Sequence, residues 1–363
     1  MQELYLHYKE KCSEQNEPIY EISQFTKLFR DMNLAFYKPK KDQCDLCVGF
    51  KAHTVDQEKY DEHIKRKREA AESKASDKTR AETNRNERVF TMDLQSLLLC
   101  PKLEASCLFY KTKLCCHNFT MFDLTSKAVT CYFWNETAAD LSASTFASCI
   151  VDFLEGLDFT GVDKVILYSD GCTYQNRNVT LSCALLQFAM KQNVEIEQKY
   201  LEKGHTYMEC DSVHATIDRK IKKKDVFIPQ KYVELIQESR SDSENPYTVK
   251  YVDHTFFRDY SGLQYYSSIR PGVGVGSPLV TDKRVLKYTS AGDILYKLNH
   301  SDEEFQELRK PWSTSLVADK PVPHAYSKPI PLKSSKYTHL QQIKDVIPKD
   351  YHSFYDSLPH VSN

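Results

Sequence analysis

The sequence is short of glycine, with 10 in 363 residues, and it holds only two tryptophans. So little glycine leaves few places for tight hairpins, whose favoured turns need residues at positive φ. Neither charge is in excess: 49 Lys and Arg against 50 Asp and Glu give a formal net charge of -1. That excludes global attraction to a polyanion, so nucleic-acid binding would have to rest on a local basic patch. Long hydrophobic runs are missing too. The opening MQELYLHYKEKC lacks the apolar centre of a secretory signal, and no later stretch reaches bilayer-crossing length. A soluble intracellular protein without a membrane partner is expected, in which the 12 cysteines are reduced core residues plus at most one metal group.

What is present is apolar and aromatic: 41% hydrophobic residues, with 23 Tyr and 18 Phe, enough for a folded chain. Residues 1–56 read as a helical region, with Tyr5, Tyr8, Ile19, Ile22, Phe25, Leu28 and Phe29 at helical spacing. An amphipathic segment at the first Met suits a short N-terminus, and equally a piece lacking its N-terminal neighbour. Residues 57–87 contain no Gly or Pro and almost no large apolar residue, as in an exposed charged helix or linker. From 88 to 224 strands and helices alternate: RVFTMDLQ, CLFYKTKLCCHNFTMFDL and KAVTCYFWN read as three strands. In the helix that follows, Phe146, Cys149, Ile150, Phe153, Leu154 and Leu157 form an apolar stripe. DKVILYSD is a buried strand, NRNVTLSCALLQFAMKQ a helix, VEIEQKYL a strand and the stretch after it a helix. The order is β-β-β-α-β-α-β-α. Residues 225–310 read as a β-rich appendage. Residues 311–363 read as an extended linker, with prolines at 311, 321, 323, 329 and 331, and a helical tail.

Three acids stand where such an order can gather them: Asp93 on the first strand, Glu136 expected to open the first helix, and Asp170 just past the fourth strand. Asp211, after the fifth strand, makes a fourth. Clustered carboxylates repel one another, and hard divalent cations such as Mg²⁺ or Mn²⁺ relieve that repulsion and support phosphodiester chemistry. Each acid also has an ordinary reading: a helix or turn cap for Asp170, a first-turn acid for Glu136.

This order resembles the ribonuclease H fold shared by ribonuclease H, retroviral integrases and DDE/D transposases. KGHTYMECDSVH is similar to the ribonuclease H segment in which a Gly-His loop precedes the last catalytic helix, which implies His205 as a mobile proton carrier and Asp211 as a metal ligand. YSDGCTYQNRN resembles a transposase strand-end acid and implies metal ligation by Asp170, and WNE matches the glutamate place, giving Glu136 that role. The chain is also similar to transposon-derived animal proteins that share CDLC, SDGC-QNRN and GHT-ECDSVH, a group without an assigned function. The resemblance implies a metal-dependent nuclease or polynucleotidyl transferase acting on DNA, in the nucleus. Asp218 competes with Asp211 as the last acid, and Asp211 with His214 could instead be a DxxH motif. The other reading is a nucleic-acid-binding or scaffold protein that keeps the fold without turnover. An exonuclease using His214 and Asp218 fits less well, since MDLQ lacks a second acid. Self-association stays open.

Two further features bear on partners. QCDLCVGFKAH pairs Cys44 with Cys47 at CxxC spacing, and His53 and His63 downstream could complete a structural Zn²⁺ site, although Cys12 or another residue could substitute. Arg219, Lys220, Lys222, Lys223 and Lys224 could neutralise phosphates beside the acids, though a charge run is commonly a solvated face.

Overall fold

The computed structural model describes residues 2–32, 34, 44–240, 242, 244–272, 274–310 and 317–361. Positions 35–43 of the expected helical region and Pro311 of the expected linker lie outside these. The chain forms two compact units, 1–45 and 46–363. The first contains α1 (Gln2–Glu14) and α2 (Ile22–Asp31). Their apolar stripes meet as an aromatic cluster in which Tyr8 stacks on Phe25 at 4.8 Å and Tyr5 tilts against Phe25 at 5.5 Å. Tyr20 ties the connection down, its N–H donating to the Tyr8 hydroxyl at 3.0 Å while its carbonyl accepts from Tyr5 at 2.9 Å.

α3 (Asp45–Lys51) starts on the last residue of the first unit, and the long α4 (Gln57–Thr83) lies in the second. Asp56 caps α4 by accepting the Lys59 N–H at 2.8 Å, and the absence of Gly and Pro lets it run 27 residues. It is not exposed all round: His63, Ala70, Asp77 and Ala81 face inward and are buried. Then come β1 (Glu87–Leu94), β2 (Leu98–Cys100), β3 (Leu114–Asp123) and β4 (Val129–Asn135). After them follow α5 (Ala143–Glu155), β5 (Lys164–Ser169), α6 (Val179–Gln192), β6 (Glu195–Tyr200) and α7 (Glu209–Ile221). The remaining elements are α8 (Pro229–Gln237), β7 (Thr248–Tyr251), β8 (Val285–Tyr288), β9 (Ile294–Lys297), β10 (Gln306–Glu307), α9 (Ser334–Gln342) and α10 (His352–Asp356).

The strands make one mixed sheet in the order β10-β9-β8-β6-β5-β1-β3-β4-β7, with β2 paired to β3. Its centre is parallel, β1 with β5 and β5 with β6, and β3 and β4 extend it in antiparallel fashion. Period-two alternation sorts the side chains of β1. Phe90 and Met92 join Phe119, Met121, Trp134 and Phe146 in the core under α5 and α6. Val89 faces the other way, with Ile166 and Tyr168, into a core closed by Ala70 and Ala81 of α4 and Cys210 of α7. On that face α7 and α8 also cover Cys116, Cys131 and Phe133.

The sequence expectations differ from the structure at several points. CLFY of the second expected strand is a 3-10 turn, Ser106–Tyr110, and only Leu114–Asp123 pairs as strand. Glu136 does not open a helix: it lies in a turn after β4, and α5 starts at Ala143 behind its N-cap Ser142. Residues 225–310 are no separate appendage, because β8 pairs with β6 and β7 with β4, satisfying the backbone groups that those strands would otherwise leave open at the sheet edges. They also contain a helix, α8, started by Pro229 at its first position. The proline-rich segment is packed, not free: Ala325 N–H donates to the Phe257 carbonyl at 2.9 Å and Ile330 N–H to the Thr137 carbonyl at 2.7 Å. The tail beyond it buries Leu340, Ile343, Ile347, Tyr355 and Leu358 against the α7–α8 core. Among the described residues no helix is long and apolar enough to cross a membrane.

Candidate active site and metal centre

β1 and β5 are parallel and in register, Thr91 beside Tyr168, so two residues further on Asp93 and Asp170 leave the sheet side by side. Both share the face of Thr91, whose hydroxyl touches Cys210 of α7 at 3.5 Å. Asp93 is partly enclosed, its side chain 21% exposed. Burial, and then the neighbouring carboxylates of Asp170 and Asp211, push its pKa up to about 7. The three acids are therefore close enough to oppose one another's charge. His214 stands beside Asp93 with Nδ1 3.9 Å from Oδ2, and its Nε2 is 3.0 Å from the Thr120 hydroxyl. Burial pushes His214 down to about 4, so the imidazole is neutral at neutral pH and makes no ion pair there.

Local sequence fixes each acid. Asp170 Oδ1 accepts from the Cys172 N–H at 3.2 Å and from Asn176 Nδ2 at 2.8 Å, which closes the turn DGCTYQN. Asn178 then caps α6, accepting from the Leu181 N–H at 2.8 Å. A Cβ at Gly171 would stand 2.9 Å from the Arg177 guanidinium, itself stacked over Tyr200 at 4.1 Å, so a side chain there would make that guanidinium shift. Asp211 stands in the first turn of α7, where it accepts the Met208 N–H at 2.9 Å and suits the helix dipole. It remains exposed to solvent.

The other expected acids lie apart. Glu136 accepts the Cys115 N–H at 2.7 Å and pairs with Lys336 of α9. Cys115 is five positions along β3 from Thr120, the register partner of Asp93, or roughly 17 Å at the strand rise. Glu136 therefore belongs to a different end of β3 from the three aspartates. Asp218, two turns along α7, accepts from Gln95 Nε2 at 2.7 Å, and Gln95 in turn accepts from Asn118 at 2.9 Å. Of the basic run, Arg219 bonds back to the Ala215 carbonyl and Lys220 pairs with Glu238 at 3.2 Å. Lys222, Lys223 and Lys224 are exposed and line a cleft with Lys102.

A second group forms between α3, α4 and the loop from β6 to α7. The ligand atoms of Cys44, Cys47, His63 and His205 all lie within 4.8 Å of one another, and the group could hold a metal ion. Cys47 Sγ is 3.6 Å from His63 Nε2 and 3.2 Å from His205 Nε2. The sequence reading placed His53 in this group and His205 beside the acids. His53 is instead exposed at φ 59°, outside the group, and His205 takes the fourth place. No local pattern could have joined Cys47 to His205, 158 residues later.

A family model described as a domain of unknown function (DUF8701) matches residues 117–241. This stretch is similar to that family and includes Asp170, His205 and Asp211, while Asp93 and the CxxC pair precede it. No curated protein and no solved structure matches the chain.

Proposed function

We propose that this protein is a transposase-derived, ribonuclease H-like nuclease or polynucleotidyl transferase that acts on DNA phosphodiesters in the nucleus. The observation that carries the reading is the meeting of Asp93 and Asp170 at the ends of adjacent parallel strands, on one face, with Asp211 opening the helix above them. The element order supports it: β1, β3, β4, α5, β5, α6, β6, α7 follow the expected β-β-β-α-β-α-β-α once the three-residue β2 is set aside.

The donor set fits a hard divalent cation. It consists of carboxylate oxygens, and the charge repulsion felt by Asp93 is of the kind that a cation removes. Asp93, Asp170 and Asp211 would hold Mg²⁺ or Mn²⁺, which when bound supplies activation of the attacking water or hydroxyl and stabilisation of the leaving oxygen. The chain's own groups do the rest. Neutral His214 and Thr120 wall the site beside Asp93. Asn176 holds Asp170 at the strand end. Lys222, Lys223 and Lys224 give the uncovered positive charge that a phosphate backbone needs. The Cys and His group suits Zn²⁺ as a structural ion, two thiolates and two imidazoles being a common tetrahedral set.

A second reading, a DNA-binding or scaffold protein without turnover, draws on the placement of Glu136, whose pairing with Lys336 leaves three carboxylates rather than four. Cleavage and strand-transfer assays on DNA with Mg²⁺ or Mn²⁺ separate the two. Turnover lost in Asp93→Asn and Asp170→Asn with DNA binding intact is expected. A wild type that binds DNA yet is inert with both metals would replace the enzyme reading with the binding one.

A further inference from the structure

The loop from β6 to α7 is tied down in a way that its role as a chain connection does not require. Glu202 is buried, 8% exposed, at the loop's start, and its Oε1 lies 3.0 Å from Nδ1 of His63, which is 2% exposed on α4. A carboxylate on Nδ1 selects the tautomer with the proton there, which puts the lone pair on Nε2, the nitrogen through which such a histidine ligates a metal. That Nε2 is the atom turned toward Cys47. The other carboxylate oxygen of Glu202 is 3.4 Å from the Arg284 guanidinium, so the acid is held from behind. Gly204, at φ 76°, then turns the chain so that the His205 N–H donates to the Glu202 carbonyl at 3.0 Å and the His205 ring returns to Cys47 at 3.2 Å. Lys74 of α4 holds the loop's far end, reaching the Tyr207 carbonyl at 3.1 Å and the Glu209 carboxylate at 3.0 Å.

We infer that the Cys–His group is a zinc clamp, oriented by Glu202 through His63, that fixes the β6–α7 loop on α4 and so sets where α7 presents Asp211. This rests on the zinc reading above and adds Glu202 as a positioning residue and His205 as a metal ligand. His205 is the only member of the group carried by that loop, so the ion is what links the loop to the CxxC pair. Two residues past the Gly-His turn, Tyr207 takes φ 39°, and Met208 is then the N-cap of α7, its N–H donating to the Asp211 carboxylate at 2.9 Å. A loop held at His205 and at Glu209 has little freedom left to move Asp211. In this arrangement His205 is bound to the ion and does not act as a mobile proton carrier.

The test uses the full chain, purified reduced and without chelator. Elemental analysis is expected to find about one zinc per chain, and Co²⁺ substitution to give the visible bands of a tetrahedral thiolate site. Absence of metal even after incubation with Zn²⁺ would overturn the zinc reading itself, and the clamp with it. Three further measurements address the clamp alone. Glu202→Gln is expected to keep zinc while weakening affinity by about 10–100-fold in chelator competition. His205→Ala is expected to weaken it at least as far, and His205→Cys to restore it. Hydrogen exchange on the wild type, zinc-loaded against zinc-stripped, should speed up at residues 203–213 on stripping while β1 and β5 stay protected. A zinc-containing protein in which His205→Ala binds as tightly as wild type, or in which exchange at 203–213 ignores the metal, would refute the clamp and leave the zinc site standing on other ligands.

Discussion

Removing one charge from the aspartate cluster is expected to stabilise the protein in buffer without added divalent cation, by an amount that grows as pH rises from about 4 to 7 and is complete above that. Asp93 has a pKa of about 7 in the fold, against about 3.9 for an unperturbed aspartate. The folded state thus holds a proton that the unfolded chain gives up between about pH 4 and 7, so stability falls as pH rises through that window. Roughly three pKa units at 1.36 kcal/mol each set a ceiling of about 4 kcal/mol. With its side chain 21% exposed and its partner Asp211 in solvent, solvent screening reduces this, and about 1–3 kcal/mol is expected. Asp93→Asn replaces the ionised carboxylate by a neutral group of the same shape. At pH 8 it should raise Tm by about 2–4 °C for a protein of this size, and at pH 4, where the folded state keeps the proton and the unfolded chain has given up only about half of it, it should change Tm far less. Millimolar Mg²⁺ should then raise the wild-type Tm at pH 8 more than that of the variant, since a ligand bound to the folded state alone stabilises by mass action. Calorimetry at the two pH values reads this directly. A variant that is destabilised equally at pH 4 and pH 8 would show that Asp93 is held by favourable contacts, and the argument for a frustrated carboxylate cluster would fall.

Three other outcomes follow from the geometry. Asp77, 2% exposed, accepts from Lys199, Tyr168 and Arg80 at 2.6 Å each, so Asp77→Ala takes the nearest acid from the buried Lys199, which keeps Glu197 at 3.4 Å, and should cost about 3–5 kcal/mol in urea unfolding. Burial opposes the charge of Asp77, yet Lys199, Tyr168 and Arg80 hold its carboxyl below the usual range, so this contribution persists above pH 4 and fades as acid protonates it. Lys283 is fully buried with the Ile269 carbonyl as partner, and burial, then Arg177, lower it to about 7. The unfolded chain therefore holds the extra proton between about pH 7 and 10, and Lys283→Met should raise stability by roughly 1–3 kcal/mol at pH 6, a gain that thermal melts should see vanish near pH 10. If DNA is the partner, changing Lys222, Lys223 and Lys224 together to Ala should weaken binding across sequences and flatten the log–log salt slope by about 2–3, read by fluorescence anisotropy; an unchanged slope would place the DNA elsewhere.

The sequence by itself determined the parts that depend on local periodicity. Alternation in ERVFTMDL put Asp93 on a strand, and the apolar run of KVILYS ended that strand just before Asp170, so two of the three gathered acids were legible from their positions alone. The CxxC pair was equally plain, because two thiolates three residues apart make half a metal site in any fold. Tertiary structure decided what those pieces met. Glu136 looked like a helix-opening acid, but Lys336, two hundred residues on, takes its charge, and an ion pair across that separation leaves no mark on the local pattern. His205 has the Gly-His context of a loop near the acids, yet a positive-φ glycine turns its ring toward Cys47, and only the packing of α4 on the sheet brings His63 and Glu202 to meet it. The strands after residue 280 looked peripheral for the same reason. The place of β8 beside β6, with β9 and β10 beyond it, is set by backbone groups that need partners, and that need is shared by almost every residue type, so the sequence does not record it.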